Sequence, residues 1–348
     1  EDFVALSKGV SWWYNWHYEP EELPPEGVAM NFTPMVWGSH PDSLAGLERY
    51  LATGIKPQAV LAINEPNLRG QSFLPPEEAA VLYAKVKKVT DRYGVPLVGP
   101  QMAIGSAPGD SITAPDPIEG KEVTYTFMVP YMKAFLHHAR ELGTEVGAIG
   151  IHPYANAGTL MGVTNLAHNE FKRPLWVTEF NNSDESPAME AIRIYLMQVV
   201  DFMERSPSVE RYAFFKERAA GRPKISLLAD QPGHLTPLGE AYLQLPVHDP
   251  DLYYRIPGRL QAENYVEMGQ MEIWPTSDSD GFAHMTSNST GAWLDYNLQV
   301  DEGGAYKVQI RVTGQPGNIT ILRGDQVLVS AKAEPVQGQF STVEASIQ

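Results

Sequence analysis

The chain has 348 residues, 43% of them hydrophobic and 10% aromatic, enough for one large domain with a sizeable core and a small second domain. Its 26 Lys and Arg stand against 42 Asp and Glu, a formal charge of -16 scattered along the chain, so nucleic acid and anionic membrane are excluded as partners by repulsion and a neutral substrate fits. The absence of cysteine excludes disulfides, thiolate nucleophiles and Cys-ligated zinc, and no apolar run approaches the roughly 18 residues of a membrane span.

From the N-terminus, short apolar runs alternate with amphipathic segments, the pattern of a β/α fold. Val10 to Trp16 reads as a first strand spilling aromatics into its loop, and Phe32 to Trp37 as a second, ended by Gly38. Leu44, Leu47 and Leu51 are spaced for a helix over Ser43 to Thr53, with Asp42 or Ser43 as N-cap and Gly54 as stop. Ala59 to Ile63 is a fully apolar strand that stops abruptly, because Pro66 cannot continue it. Glu65 therefore falls at the rim of a sheet.

A longer helix is predicted from Pro75 to Tyr93, with Pro and Glu in its first turn and Gly94 closing it. Pro96 to Gln101 is a strand leading into a Gly/Pro/Ala loop that runs to about Lys121. A helix over Pro130 to Leu142 precedes the strand Val146 to Tyr154, whose period of two places His152 and Tyr154 on the face of Gly150. Leu175 to Asn181 holds a second apolar run ending in a carboxylate, Glu179, followed by an aromatic and a polar residue. A helix over Ala188 to Glu204, a last strand from Arg211 to Phe215 and a short terminal helix within Gly233 to Tyr242 complete seven strand positions.

Beyond Pro246 the composition changes. Pro246, Pro250 and Pro257 mark residues 248–257 as a linker between a barrel domain over 1–247 and a second domain over 258–348. In the latter, Arg259 to Tyr265, Gly291 to Val300, Ala305 to Thr313 and Asn318 to Arg323 alternate with period two between Gly, Asn and Asp turns, which predicts an all-β sandwich. The sequons at Asn31, Asn181, Asn288 and Asn318 are read as chance matches.

Two strand-end glutamates form a pair. A single one is more often a solvated rim residue or an ion-pair partner, but Glu65 and Glu179 share one strand-to-loop context and each is flanked by Asn. Paired carboxylates at the C-terminal rim of a parallel barrel are what glycosidic bond hydrolysis needs. Trp16 and Trp37, last in their strands, are expected to line a sugar groove by stacking, with Tyr14, Phe214 and Phe215 as further aromatics. His152 and Tyr154 are placed to hydrogen-bond a carboxylate. The adjacent His137 and His138 point about 100° apart on a helix and cannot jointly hold one metal. No HExxH, P-loop, dinucleotide fingerprint or GxSxG elbow is present.

GVSWWYNW (Gly9–Trp16), FTPMVWG (Phe32–Gly38), NEPN (Asn64–Asn67), HPY (His152–Tyr154), WVTEFN (Trp176–Asn181) and YAFF (Tyr212–Phe215) together resemble glycoside hydrolase family 128, over about Lys8 to Leu245. The resemblance implies a (β/α)8 barrel of the large retaining clan and an endo-acting β-1,3-glucanase using double displacement. Its motifs make Glu65 the acid/base, Glu179 the nucleophile, Asn64 a partner of the sugar 2-hydroxyl and Tyr154 a contact of the nucleophile. Asn15, Gln101, Asn181 and Phe215 complete the expected substrate groove. The clan carries its pair on strands four and seven, whereas counting here gives three and six, which requires a degenerate or very short second strand.

The C-terminal domain is similar to a family 6 carbohydrate-binding module through QAENY (Gln261–Tyr265), GAWLDY (Gly291–Tyr296) and GAYKV (Gly304–Val308). Glu263 matches a position that often ligates a structural calcium; no other cofactor and no metal in the barrel are expected. A chain that begins at Glu1 reads as a mature or trimmed form, and a secreted monomer acting on polysaccharide is the expectation. The alternatives are a clan relative acting on another β-glucan linkage and a non-catalytic glucan-binding protein; retention of both glutamates favours an enzyme.

Overall fold

The computed structural model describes residues 1–182, 188–279 and 281–348. They fall into two compact units, Glu1–Leu245 and Pro246–Gln348.

In the first unit, α1 (Asp2–Leu6) is followed by β1 (Trp12–Trp13), β2 (Asn31–Phe32), β3 (Met35–Val36), α2 (Pro41–Ala52), β4 (Val60–Ala62), α3 (Pro76–Tyr93) and β5 (Leu97–Ala103). Then come β6 (Ile112–Asp116), β7 (Lys121–Tyr125), α4 (Met128–Glu141), β8 (Ala148–His152), α5 (Ala157–Phe171), β9 (Leu175–Phe180), α6 (Met189–Arg205), β10 (Val209–Phe214) and α7 (Pro237–Leu243). The strands β3, β4, β5, β8, β9 and β10 are neighbours in one parallel sheet, and β1 and β2 form a separate parallel pair. β2 and β3 are the two halves of the single strand predicted over Phe32 to Trp37. They part at Thr33 and Pro34, where proline has no amide hydrogen to give a ladder.

The sheet is curled about an interior of its own. Trp12, Met35, Ala59, Leu61, Val98, Ala148 and Trp176, drawn from successive strand positions, pack into one buried cluster edged by Tyr14, Trp16, Trp37 and Ala213. A larger cluster fills the space between the outer face and the helices, joining Val36, Val60, Ile149 and Val177 to Leu47, Tyr83, Phe135, Leu160 and Leu196. Strands buried on both faces explain the unbroken apolar runs in the sequence.

The expected closed eight-fold barrel is met only in part. Among the described residues no ladder joins β10 to β1. Side chains bridge that edge: Trp12 and Trp176 meet edge to face at 5.4 Å, and the Arg211 guanidinium of β10 lies 5.9 Å from the Trp12 ring of β1. Residues 14–30 hold neither helix nor strand, so the count of strand positions stays at seven.

Helix ends follow local chemistry. α3 begins with proline, carries Glu77 and Glu78 in its first turn and ends on Gly94 in the left-handed region at φ 67°, as its sequence predicts. α2 starts earlier than expected: His40, not Asp42 or Ser43, is the N-cap, with proline behind it. α5 and α1 went unread, and so did β6 and β7, an antiparallel hairpin inside the segment read as loop.

The second unit is built of β11 (Tyr254–Ile256), β12 (Glu267–Gly269), β13 (Glu272–Pro275), β14 (Ala283–Thr286), β15 (Trp293–Asp295), β16 (Leu298–Val300), β17 (Tyr306–Val312), β18 (Gly317–Arg323), β19 (Gln326–Ala333) and β20 (Ser341–Ile347). Two boundaries are corrected. Residues 248–257 are not a free linker, since β11 pairs with β16 and Asn297 donates to the Pro250 carbonyl. Arg259 to Tyr265 is turn and irregular backbone, while Tyr265 itself is buried beside His248. β17 and β20 pair antiparallel with inward and outward residues alternating, the pattern of a half-buried sheet.

Candidate active site

Glu65 and Glu179 come together at the C-terminal ends of the parallel strands, both almost wholly buried. The backbone that delivers Glu65 is strained: Ile63 has φ 61° and Glu65 φ 42°, and a β-branched residue in that region is an outlier. Neighbouring strands hold it there. The Asn64 amide donates to the Trp37 carbonyl at 2.8 Å, the Glu65 amide to the Gln101 carbonyl at 2.7 Å and the Gln101 amide to the Ile63 carbonyl at 2.9 Å.

His152 lies between the carboxylates. On β8, Ala148, Gly150 and His152 share the inward face by period two. Its Nδ1 is 3.0 Å from Oε1 of Glu65 and 3.6 Å from Oε2 of Glu179. One carboxylate oxygen of each glutamate and this nitrogen all lie within 4.8 Å of one another. Burial disfavours the charged imidazole, but the charge of Glu179 and the hydrogen bond and charge of Glu65 outweigh it and raise the His152 pKa.

The two carboxylates differ in their partners. Glu179 Oε1 accepts from Trp16 Nε1 at 2.7 Å and from the Tyr14 hydroxyl at 3.0 Å, and its Oε2 accepts from the Tyr154 hydroxyl at 2.5 Å. Burial first, then the charge of Glu179, pushes both tyrosines well above the usual phenol range, so both stay protonated donors. Three donors suit a full negative charge. Glu65 instead has its side-chain contact with His152.

The other expected groove residues separate into distinct roles. Trp16, Tyr14, Tyr154 and Phe215 are half-buried around the carboxylates, with Trp16 5.0 Å from Tyr14 and 5.8 Å from Phe215 between ring centroids, and Trp37 is half-buried at the edge of the same interior cluster as Tyr14 and Trp16. Phe214, by contrast, is buried in the outer core against Phe180. Asn64 donates to Gln71 Oε1, while its own Oδ1 is buried without a partner. Asn15 spends its amide on its own loop, donating to the Glu19 carbonyl and accepting from the His17 amide. Asn181 donates to the Phe215 carbonyl and ties the end of β9 to that of β10.

Gln101 requires a correction: it is 0% exposed, and both ends of its amide are taken by protein, so it cannot touch a substrate. Thr178 was missed, although it shares with Trp176 the inward face of β9 and its Oγ1 lies 3.0 Å from His152 Nε2.

In the second unit, Glu263 is buried and its Oε2 has no hydrogen-bond partner. A bare, buried carboxylate oxygen fits a hard cation such as calcium. Calcium takes six to eight oxygens, however, and no trio of acidic or histidine side chains gathers at Glu263 among the described residues. Glu263 thus suits one ligand of such a site, with neutral oxygens as the others.

A parallel β/α unit presenting paired, unequal carboxylates in an aromatic-walled rim defines a glycoside hydrolase. Sequence profiles agree, one described as glycosyl hydrolase catalytic core matching residues 1–242 and one described as carbohydrate binding module (family 6) matching residues 261–348. Among solved structures, a subgroup II endo-β-1,3-glucanase of glycoside hydrolase family 128 from Sorangium cellulosum is 30% identical, covering 71% of this chain and 95% of its own, with a TM-score of 0.61. Its counterpart from Pseudomonas viridiflava is 32% identical over 71% and 93%, with a TM-score of 0.58. A curdlan-specific exo-β-1,3-glucanase of the family from Blastomyces gilchristii is 24% identical over 70% and 94%, with a TM-score of 0.54, a likeness of fold. A search of curated proteins returned no match. The chain belongs to glycoside hydrolase family 128 and carries a C-terminal family 6 carbohydrate-binding module.

Proposed function

We propose that this protein is an endo-acting, retaining β-1,3-glucanase. The observation that carries the mechanism is the closeness of Glu65 and Glu179, with oxygens within 4.8 Å through the shared neighbour His152. Retaining enzymes hold their carboxyl groups about 5–5.5 Å apart, whereas inverting enzymes leave about 6.5–9.5 Å for a water. Glu179, which accepts hydrogen bonds from three donors, attacks the anomeric carbon while Glu65 protonates the departing glycosidic oxygen. Glu65 then removes a proton from the water that releases the covalent glycosyl-enzyme.

Substrate choice is supported by the two relatives at 30% and 32% identity, both described as endo-β-1,3-glucanases. The half-buried rings of Trp16, Trp37 and Phe215 suit stacking against pyranose faces, and the unpartnered Oδ1 of Asn64 suits a sugar hydroxyl. A polymer of this kind does not cross a membrane, so the enzyme acts outside the cell, its second unit holding the polysaccharide. Glu263 is read as one ligand of a structural calcium there.

Product analysis on laminarin, curdlan, pustulan, lichenan and cellulose tests the reading. Laminarin is expected to give a ladder of oligosaccharides whose new reducing ends are first β by NMR. Release of glucose alone identifies exo action, initial α anomers identify inversion, and faster attack on pustulan, lichenan or cellulose overturns the substrate.

A further inference from the structure

We propose that Gln101 and Thr178 are positioning residues that place the catalytic proton on the Glu65 side of His152. The inference rests on Glu65 being the acid/base, and it follows from a chain of hydrogen bonds that can run in one direction only. The chain starts at the Val98 carbonyl, which can only accept. Gln101 Nε2 donates to it at 2.9 Å, which fixes the amide and leaves Oε1 as an acceptor. The Thr178 hydroxyl donates its single proton to that Oε1 at 2.8 Å. Having spent its proton, Thr178 Oγ1 can only accept from His152 Nε2, 3.0 Å away. Nε2 therefore carries hydrogen in either protonation state of the ring.

The consequence falls on the other nitrogen. In a neutral imidazole with hydrogen on Nε2, Nδ1 is a lone pair, and the 3.0 Å contact with Glu65 Oε1 is a hydrogen bond only if Glu65 is the carboxylic acid. In the charged imidazolium the same proton sits on Nδ1 and is shared with the Glu65 carboxylate. Either way, one proton lies on the line between Glu65 and His152. The opposite tautomer, with hydrogen on Nδ1 of a neutral ring, would donate to an ionised Glu65 and leave no acid for the leaving group.

The surroundings agree. Glu179, the remaining charged group facing His152, has its three other donors in Tyr14, Trp16 and Tyr154. The chain is built into the barrel interior, where Thr178 and Gln101 are shut away from solvent. Room for it is provided at Gly150, where an added Cβ would stand 1.6 Å from Gln101 Oε1.

The test uses Thr178→Val, which keeps the shape and removes the hydroxyl, and Thr178→Ser, which restores it. Laminarin needs the acid and an aryl β-laminaribioside with a dinitrophenolate leaving group does not. General acid catalysis contributes about 10²–10⁴-fold. We therefore expect Thr178→Val to lose roughly 10-fold or more in kcat/KM on laminarin and much less on the aryl glycoside. The basic limb of its pH profile should move to lower pH, and Thr178→Ser should recover both effects. Gln101→Met reads the same chain should Thr178→Val not fold. Nitrogen-15 NMR of labelled His152 supplies a readout independent of substrate: hydrogen on Nε2 in the parent, and a mixture of tautomers in Thr178→Val. An equal loss on both glycosides, or an unchanged tautomer in Thr178→Val, overturns the proposal. Inactivity of the parent on every glucan with hydrogen retained on Nε2 would instead count against the functional reading and leave the chain intact.

Discussion

The indole Nε1 of Trp16 donates to Oε1 of Glu179 at 2.7 Å, so an aromatic residue that reads from sequence as a stacking wall is also an electrostatic partner of the carboxylate proposed as nucleophile. Trp16→Phe keeps most of the ring and removes the donor. A hydrogen bond to a charged group is worth about 1.5–3 kcal/mol, so kcat on laminari-oligosaccharides should fall on the order of 10- to 100-fold with KM nearly constant. Trp16→Ala should raise KM as well, because stacking is lost. Unchanged kcat in Trp16→Phe would show that this bond does not serve the chemistry.

Gly150 is the second place where one atom decides the geometry. Gly150→Ala puts a methyl group onto Gln101, and overpacking of this kind costs about 1–3 kcal/mol. Thermal melting should show destabilisation, and the residual activity on laminarin should fall below the folded fraction. A variant as stable and active as the parent would mean that Gln101 is free to move aside.

The hairpin of β6 and β7 depends on Asp116. Its Oδ1 accepts from the amides of Ile118 at 2.8 Å and Glu119 at 2.9 Å, and its Oδ2 from the Tyr125 hydroxyl at 3.0 Å. Burial opposes the charge, but those amides and then the tyrosine outweigh it, holding the carboxyl below its ordinary value. A carboxyl lowered by folding stabilises above its unfolded pKa of about 3.9 and loses that contribution as pH falls through the folded value. Asp116→Asn should therefore be less stable than the parent by about 1 kcal/mol or more at pH 7, with the gap narrowing as pH falls below that unfolded value. A gap that stays constant with pH in denaturant titrations would contradict the assignment.

What the sequence conceals is as physical as what it displays. β4 and β9 are legible because burial on both faces leaves only apolar residues until the carboxylate, and α3 because it has punctuation at each end. α5 is hidden because its inward positions include Thr164 and Ala167, which blunt the apolar stripe, and because Lys172 rather than glycine takes the left-handed C-cap. The hairpin is hidden because Pro115, Asp116 and Gly120 read as loop residues, although Ile112, Ala114 and Asp116 alternate inward. At the site, Glu65 and Glu179 stand out as charges ending apolar runs. Thr178 does not, and Gln101 was expected in the groove and not behind it, because a polar residue facing the interior of the sheet keeps the strand period and differs from its neighbours only in its partners.

The two compact units each hold buried residues of their own, Tyr265, Ile273 and Ala283 among those of the second. Residues 1–245 expressed alone should fold and hydrolyse soluble laminarin at close to the parent rate while losing retention on insoluble curdlan. Loss of both folding and hydrolysis would make the second unit part of the catalytic body, and undiminished retention on curdlan would deny it a role in holding the glucan.

The division of labour between Glu65 and Glu179 is tested most directly by azide rescue. Glu65→Ala and Glu179→Ala should each nearly abolish laminarin hydrolysis, since removal of either carboxylate blocks double displacement. With an activated aryl β-glycoside and added azide, Glu65→Ala should still form the covalent intermediate through Glu179 and release it as the β-glycosyl azide. Glu179→Ala has no nucleophile, so azide should enter from the vacated face and give the α-glycosyl azide. The anomeric configuration of the two azides, read by NMR, carries the result: β from Glu65→Ala with α from Glu179→Ala is the outcome predicted, and the reverse pair would exchange the roles of the two glutamates.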